Sequence, residues 1–173
     1  QRQMCIRDST ADIDVVGTLY LSGTLRDNST INVYQGGEVI VSEGETFQII
    51  GTMNIDNGSA QIDGTLTVGS SAGAASLNVE NDGTVKVSST GTLTISSNTS
   101  SKPYNILSGN IDNEGTVNMS SKLIGAIKNS GTVNFNGVHE NTAAGDASTI
   151  FMVKSGATLN AQSVTAVGNA NPL

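Results

Sequence analysis

Cysteine, aromatic residues and charge are all scarce in this 173-residue chain. The single cysteine, Cys5, excludes a disulfide scaffold and leaves the body of the chain without a thiol nucleophile. Only 13% of residues are charged, and the balance is acidic, with 15 Asp and Glu against 8 Lys and Arg. The basic side chains are scattered, as in Lys86, Lys102, Lys122, Lys128 and Lys154. Nucleic acid demands clustered Lys and Arg against its phosphates, so it is not an expected partner. No apolar run approaches the roughly 20 residues that span a bilayer as a helix. Proline is also rare, at two residues. A disordered chain would be richer in proline and charge and poorer in Val, Ile and Leu.

The first nine residues, Gln1 to Ser9, differ from all that follows. They lack glycine and alternation, and they hold Cys5 and both Arg2 and Arg7. Back-translated as CAGCGTCAGATGTGTATAAGAGACAG, they resemble the transposase adapter used for shotgun sequencing libraries. The expectation is that residues 1–9 are an artefact and not native, to be set aside from fold reasoning. Residues 10–173 are then one β-solenoid repeat segment, a fragment of a longer protein whose start is missing. Setting aside Arg2, Arg7 and Asp8 leaves 14 acidic and 6 basic side chains.

What the chain has in abundance is a phrase: Gly-Thr, an aliphatic, a non-aliphatic, an aliphatic. Gly-Thr begins at Gly17, Gly23, Gly51, Gly64, Gly83, Gly91, Gly115 and Gly131. Two residues after each glycine stands Leu19, Leu25, Met53, Leu66, Val85, Leu93, Val117 or Val133, apolar every time. Four residues after it stands an aliphatic or aromatic residue in every phrase except that of Asp27. Between them lie residues such as Thr67, Lys86, Thr94, Asn118 and Asn134. This alternation with period two predicts short strands with one buried face. Asn and Gly in Asn81-Asp82-Gly83, Asn113-Glu114-Gly115 and Asn129-Ser130-Gly131 predict corners that tolerate a left-handed backbone. Glycine recurring among β-branched neighbours disfavours helix throughout.

Short strands joined by such corners fit an all-β chain wound as a right-handed parallel β-helix, or β-solenoid; the alternative is an antiparallel β-sandwich or meander. The recurrence of one residue class at each place favours stacked coils, as does the 16-residue step from Ile111 to Ile127. At about 20 residues per coil this gives roughly eight coils. Residues 98–105, which include Pro103, and residues 136–146 leave the rhythm and are expected to be excursions. Loops on a rigid scaffold are where binding specificity collects. The candidate interaction residues are therefore Lys102, Tyr104, His139 and Glu140.

Chemistry is hard to find. His139 is the only histidine, and no Ser, His and Asp arrangement has motif support. Glycoside hydrolysis needs two facing carboxylates, whereas corner residues such as Asp56, Asp82 and Asp112 read as turn formers. No catalytic, cofactor-binding or metal residue is assigned, and no cofactor is expected. Thr65-Leu66-Thr67 and Thr92-Leu93-Thr94 hint at the Thr-x-Thr ladders of ice-binding β-helices. In the sequence the pair of threonines does not recur on every coil, so ice binding is not the reading the sequence favours.

The element Asn113-Glu114-Gly115-Thr116-Val117-Asn118-Met119, repeated as Asn129-Ser130-Gly131-Thr132-Val133-Asn134-Phe135, resembles bacterial surface proteins of the adhesin-like and autotransporter-passenger families. The resemblance covers residues 12 to 165 and is one of pattern. It implies export, an extracellular or cell-surface location, and a non-catalytic rigid rod that contacts host or cell-surface glycans or proteins. The competing readings are a fragment of a β-helical polysaccharide lyase or glycoside hydrolase, and a purely structural stalk. A solenoid cut inside its array also predicts end-to-end self-association.

Overall fold

The structure, a computed structural model, describes residues 3–6, 12–70, 74–97, 106–140 and 151–167. Among these there is no helix, and every strand pairing is parallel. The chain is a β-solenoid of about six turns. The antiparallel alternative is excluded for the described residues.

In chain order, β1 is Gln3–Ile6, β2 Asp12–Val15 and β3 Thr18–Leu25. The next turn holds β4 (Thr30–Val33), β5 (Glu38–Val41) and β6 (Thr46–Ile49), and the one after it β7 (Thr52–Asp56), β8 (Ser59–Ile62) and β9 (Thr65–Val68). Then come β10 (Ser76–Glu80), β11 (Thr84–Val87) and β12 (Thr92–Ile95), followed by β13 (Ile106–Asn113) and β14 (Thr116–Met119). The last turns use β15 (Lys122–Asn129), β16 (Thr132–Glu140), β17 (Phe151–Val153) and β18 (Thr158–Val167).

These strands stack on three faces. The first face carries β2, β4, β7, β10 and the starts of β13 and β15. The second carries the start of β3, then β5, β8, β11, the ends of β13 and β15, and β17. The third carries the end of β3, then β6, β9, β12, β14 and the starts of β16 and β18. Stacked partners lie 18, 22, 24 and 16 residues apart in different parts of the rod. Ser76 lies beside Ile106, a longer step still. Coil length is thus uneven, which is one reason a uniform 20-residue coil overcounts the turns.

Strand β1 lies parallel to β3, with Gln3 beside Tyr20 and Ile6 beside Gly23, so residues 3–6 of the segment set aside as an artefact add a strand to the ladder. The expected excursion at 98–105 lies outside the described residues. The second expected excursion begins too early: 136–140 continue strand β16, paired with β18 across a register shift at Phe135/Asn136. That shift keeps Gly137 and Val138 in the ladder, which sequence alternation alone does not show.

The interior is apolar. Leu66, Val68, Val85, Val87, Leu93, Ile95, Val117, Met119, Val133 and Phe135 are all buried, as the alternation requires. Lys86 is exposed, and Thr67, Thr94, Asn118 and Asn134 are half-buried on the outside, shielded only by the rungs above and below. Burial of each aliphatic side chain contributes about 1.5–3 kcal/mol.

At Gly51, Gly64, Gly83, Gly91, Gly115 and Gly131 the glycine of the Gly-Thr phrase does a different job from the one its neighbours suggest. Left-handed corners are made by Asn28, Asn57 and Asn81, together with glycines such as Gly36 and Gly44. Gly64, Gly91, Gly115 and Gly131 are needed instead for close approach between coils. A methyl group on Gly91 would overlap the Ile62 carbonyl oxygen, and one on Gly131 would overlap that of Gly115. The threonine that opens the next strand of the stack completes the contact. Thr92, Thr116, Thr132 and Thr158 each donate their N–H to the carbonyl of Gly64, Gly91, Gly115 and Gly131 respectively, at 2.8–3.0 Å. Long strands need glycine for a second reason. Strands β13 and β15 each serve two faces and bend at Gly109 and Gly125, whose φ values are 98° and 123°.

Two asparagines enter the core. The inward column on the second face runs Val41, Ile62, Val87, Asn113, Asn129 and Val153. Asn113 and Asn129 are 1% and 0% exposed, yet fully paired. Each side-chain oxygen accepts the N–H of the glycine two residues on, Gly115 or Gly131. The Asn113 amide donates to Asn129 Oδ1 at 2.8 Å and to the Thr132 carbonyl at 3.0 Å, and the Asn129 amide donates to the Thr158 carbonyl at 2.9 Å. The Asn-x-Gly phrase here is a buried turn lock, whereas at Asn81 the same phrase is an exposed left-handed corner.

Two predictions follow from these contacts. Gly91→Ala should lower unfolding stability by roughly 1–3 kcal/mol through overpacking. Gly17→Ala, with nothing within 4 Å of the added methyl, should change it by less than about 0.5 kcal/mol. Urea denaturation of the two variants checks the contrast, and equal losses would contradict it. Asn129→Val should cost about 1–3 kcal/mol by orphaning its partners. The double variant Asn113→Val/Asn129→Val should cost less than the two single changes added together, as a double-mutant cycle would measure.

Candidate binding faces

The residues singled out as interaction candidates do not assemble into one site. Lys102 and Tyr104 lie outside the described residues. His139 and Glu140 sit on strand β16, not on a loop, in register with Ala166 and Val167 of β18. Among the described residues, no three His, Cys, Asp or Glu side chains come together as a metal-holding group. What the fold builds is a set of long columns on its outer surface, one residue per rung.

On the first face, Asp14, Asn32, Asn54 and Asn78 stack in register. Each amide donates to the side-chain oxygen of the rung before it: Asn32 to Asp14 at 3.0 Å, Asn54 to Asn32 at 2.9 Å and Asn78 to Asn54 at 2.9 Å. Beside this ladder run Asp12, Thr30, Thr52 and Ser76. An amide has donors and an acceptor on opposite sides, so identical amides on successive rungs satisfy one another. The ladder orients the column, and each amide keeps hydrogen-bonding capacity for a ligand.

The second face is the charged one. Ile40, Gln61, Lys86, Asp112 and Lys128 follow one another outward-facing along it. Lys86 pairs with Glu114 at 3.2 Å and Lys128 with Asp112 at 3.4 Å. All four side chains are about half exposed, so each pair contributes little to stability, of order 0–1 kcal/mol. Their alternating sign along the rod presents a surface of mixed charge.

The third face is the most regular. Thr46, Thr65, Thr92, Thr116, Thr132 and Thr158 form one outward rank, in register from rung to rung. Two residues along each strand runs a second rank of Gln48, Thr67, Thr94, Asn118, Asn134 and Asn160. Neither rank contains a charged or aromatic residue. Asn134 donates to Asn118 and Asn160 to Asn134, both at 2.8 Å, while Gln48 donates to the Gly69 carbonyl at 2.9 Å. The first-position threonine thus recurs on every one of these rungs, which the uneven coil lengths hide in the sequence.

The columns were partly foreshadowed by the middle residue of each alternating phrase, which is Asn or Thr in most of them. Their assembly into ladders depends on which phrases stack. No protein family model matches the chain, and no curated protein or solved structure is found to match it.

Proposed function

We propose that this chain is a non-catalytic rod segment of a secreted or cell-surface, adhesin-like protein that contacts cell-surface glycans or proteins along its first and second faces. The observation that carries the reading is the unbroken register of parallel rungs. It holds amides, hydroxyls and charges in fixed columns on a stiff backbone, so many weak polar contacts can be made at once with little ordering cost. Extended glycans and glycoproteins offer hydroxyls and amides in the same repetitive manner. The rod also has an end that favours association with a further copy. Val153 and Leu159 are 44% and 36% exposed, although residues in the same columns are buried elsewhere in the stack.

Beads coated with the full chain are expected to be retained on host or bacterial cell layers, with retention reduced by oxidising the surface glycans with periodate. No retention on any cell layer would support a structural stalk instead. Release of soluble sugar fragments from polysaccharide would support the enzyme. For the end contact, light scattering of the purified chain should show concentration-dependent association that Val153→Lys/Leu159→Lys reduces. A monodisperse monomer at all concentrations would contradict it.

A further inference from the structure

We propose that the third face binds ice. This goes beyond the glycan or protein contact assigned to the other two faces. Three features of the face narrow its ligand. Its two ranks are neutral, in a chain of formal charge −7. A charged mineral surface or an ionic polymer therefore finds no counter-charge here, although it would on the second face. The ranks also contain no aromatic ring, so the broad faces of sugar rings have no platform on which to stack. Finally, the array repeats in two directions. Rungs recur at about 4.8 Å, and the two ranks stand two residues apart along each strand, at about 6.6 Å.

A ligand that uses such an array must be neutral, hydrogen-bonding and periodic in two dimensions over several rungs. An ice surface has these properties, and its water oxygens recur on the same length scale. A linear sugar chain is periodic in one dimension only.

The side chains suit the task. Threonine is stiff at χ1, so six threonines on consecutive rungs hold their hydroxyls and methyls in fixed positions. Hydroxyls can take the place of lattice waters, while methyls between them disfavour mobile water. In the second rank the amides of Asn118, Asn134 and Asn160 are already oriented by bonding one another. The face is therefore organised before it meets a ligand, and little side-chain entropy is lost on binding.

The test uses the purified full chain, with its β-sheet circular dichroism spectrum recorded alongside. Ice grains annealed in a sucrose solution should stay small in the presence of the chain, and a separation of melting and freezing temperatures should be measurable. Thr92→Tyr/Thr116→Tyr should lose most of both effects while keeping the spectrum. If that variant loses its β signal, Thr92→Ser, which removes one methyl, should still show a reduced effect. Lys86→Ala on the second face should leave both effects unchanged. Ice growth unaffected by the folded wild-type chain would overturn the proposal, whatever the cell-retention result. So would activity equal in wild type and Thr92→Tyr/Thr116→Tyr, or retention on an uncharged polysaccharide with no effect on ice.

Discussion

At the corners that open β9, β12, β14 and β16 on the third face, the chain passes so close to the rung beneath that a side chain cannot be accommodated. Gly91 faces the Ile62 carbonyl, Gly115 those of Ser88 and Gly91, and Gly131 that of Gly115. The N–H of the next residue then reaches the carbonyl of the stacked glycine, as with Thr116 and Gly91. Glycine makes the approach possible and threonine uses it. Because the contact fixes where each rung starts, it sets the register of every residue that follows in the strand. The apolar interior and the outer columns are consequences of that register.

A solenoid of this kind is held together by neighbours only. Each coil meets the one below and the one above, so its stability is close to a sum of local terms. The half-exposed ion pairs of Lys86 with Glu114 and Lys128 with Asp112 contribute little, while the interior is apolar and Asn113 and Asn129 enter it. Those two side chains illustrate the condition for placing amides in a core. Both have every buried polar atom paired, and no buried side-chain polar atom among the described residues lacks a partner. The outer amides follow the same rule more loosely. In the columns of Asn32, Asn54 and Asn78, and of Asn118, Asn134 and Asn160, each rung completes the one beside it and stays available to solvent.

Much of the fold was legible in the sequence because the alternation around Leu66, Leu93, Val117 and Val133 admits one inward face. The parallel winding was legible from the 16-residue step, which the pairing of Ile111 with Ile127 reproduces. The role of glycine was not, because an identical Gly-Thr phrase serves different corners: Gly83 precedes a second-face strand and Gly91 a third-face strand. The columns were hidden for a related reason. Thr46, Thr65, Thr92 and Thr116 are unevenly spaced along the chain, so only the three-dimensional register lines them up. His139 and Glu140 were read as loop residues because Asn136-Gly137 interrupts the alternation. The pairing shifts by one residue at that point and the strand continues.

The rung-to-rung contact at the glycine corners is the claim on which everything else rests, and amide hydrogen exchange reads it most directly. The account predicts that the N–H groups of Thr92, Thr116 and Thr132 exchange slowly, near the rate set by global unfolding. Those at the exposed corners Glu43 and Asn57 should exchange orders of magnitude faster. Fast exchange at the three threonines in a folded chain would show that the rungs do not meet there, and would contradict the register described above.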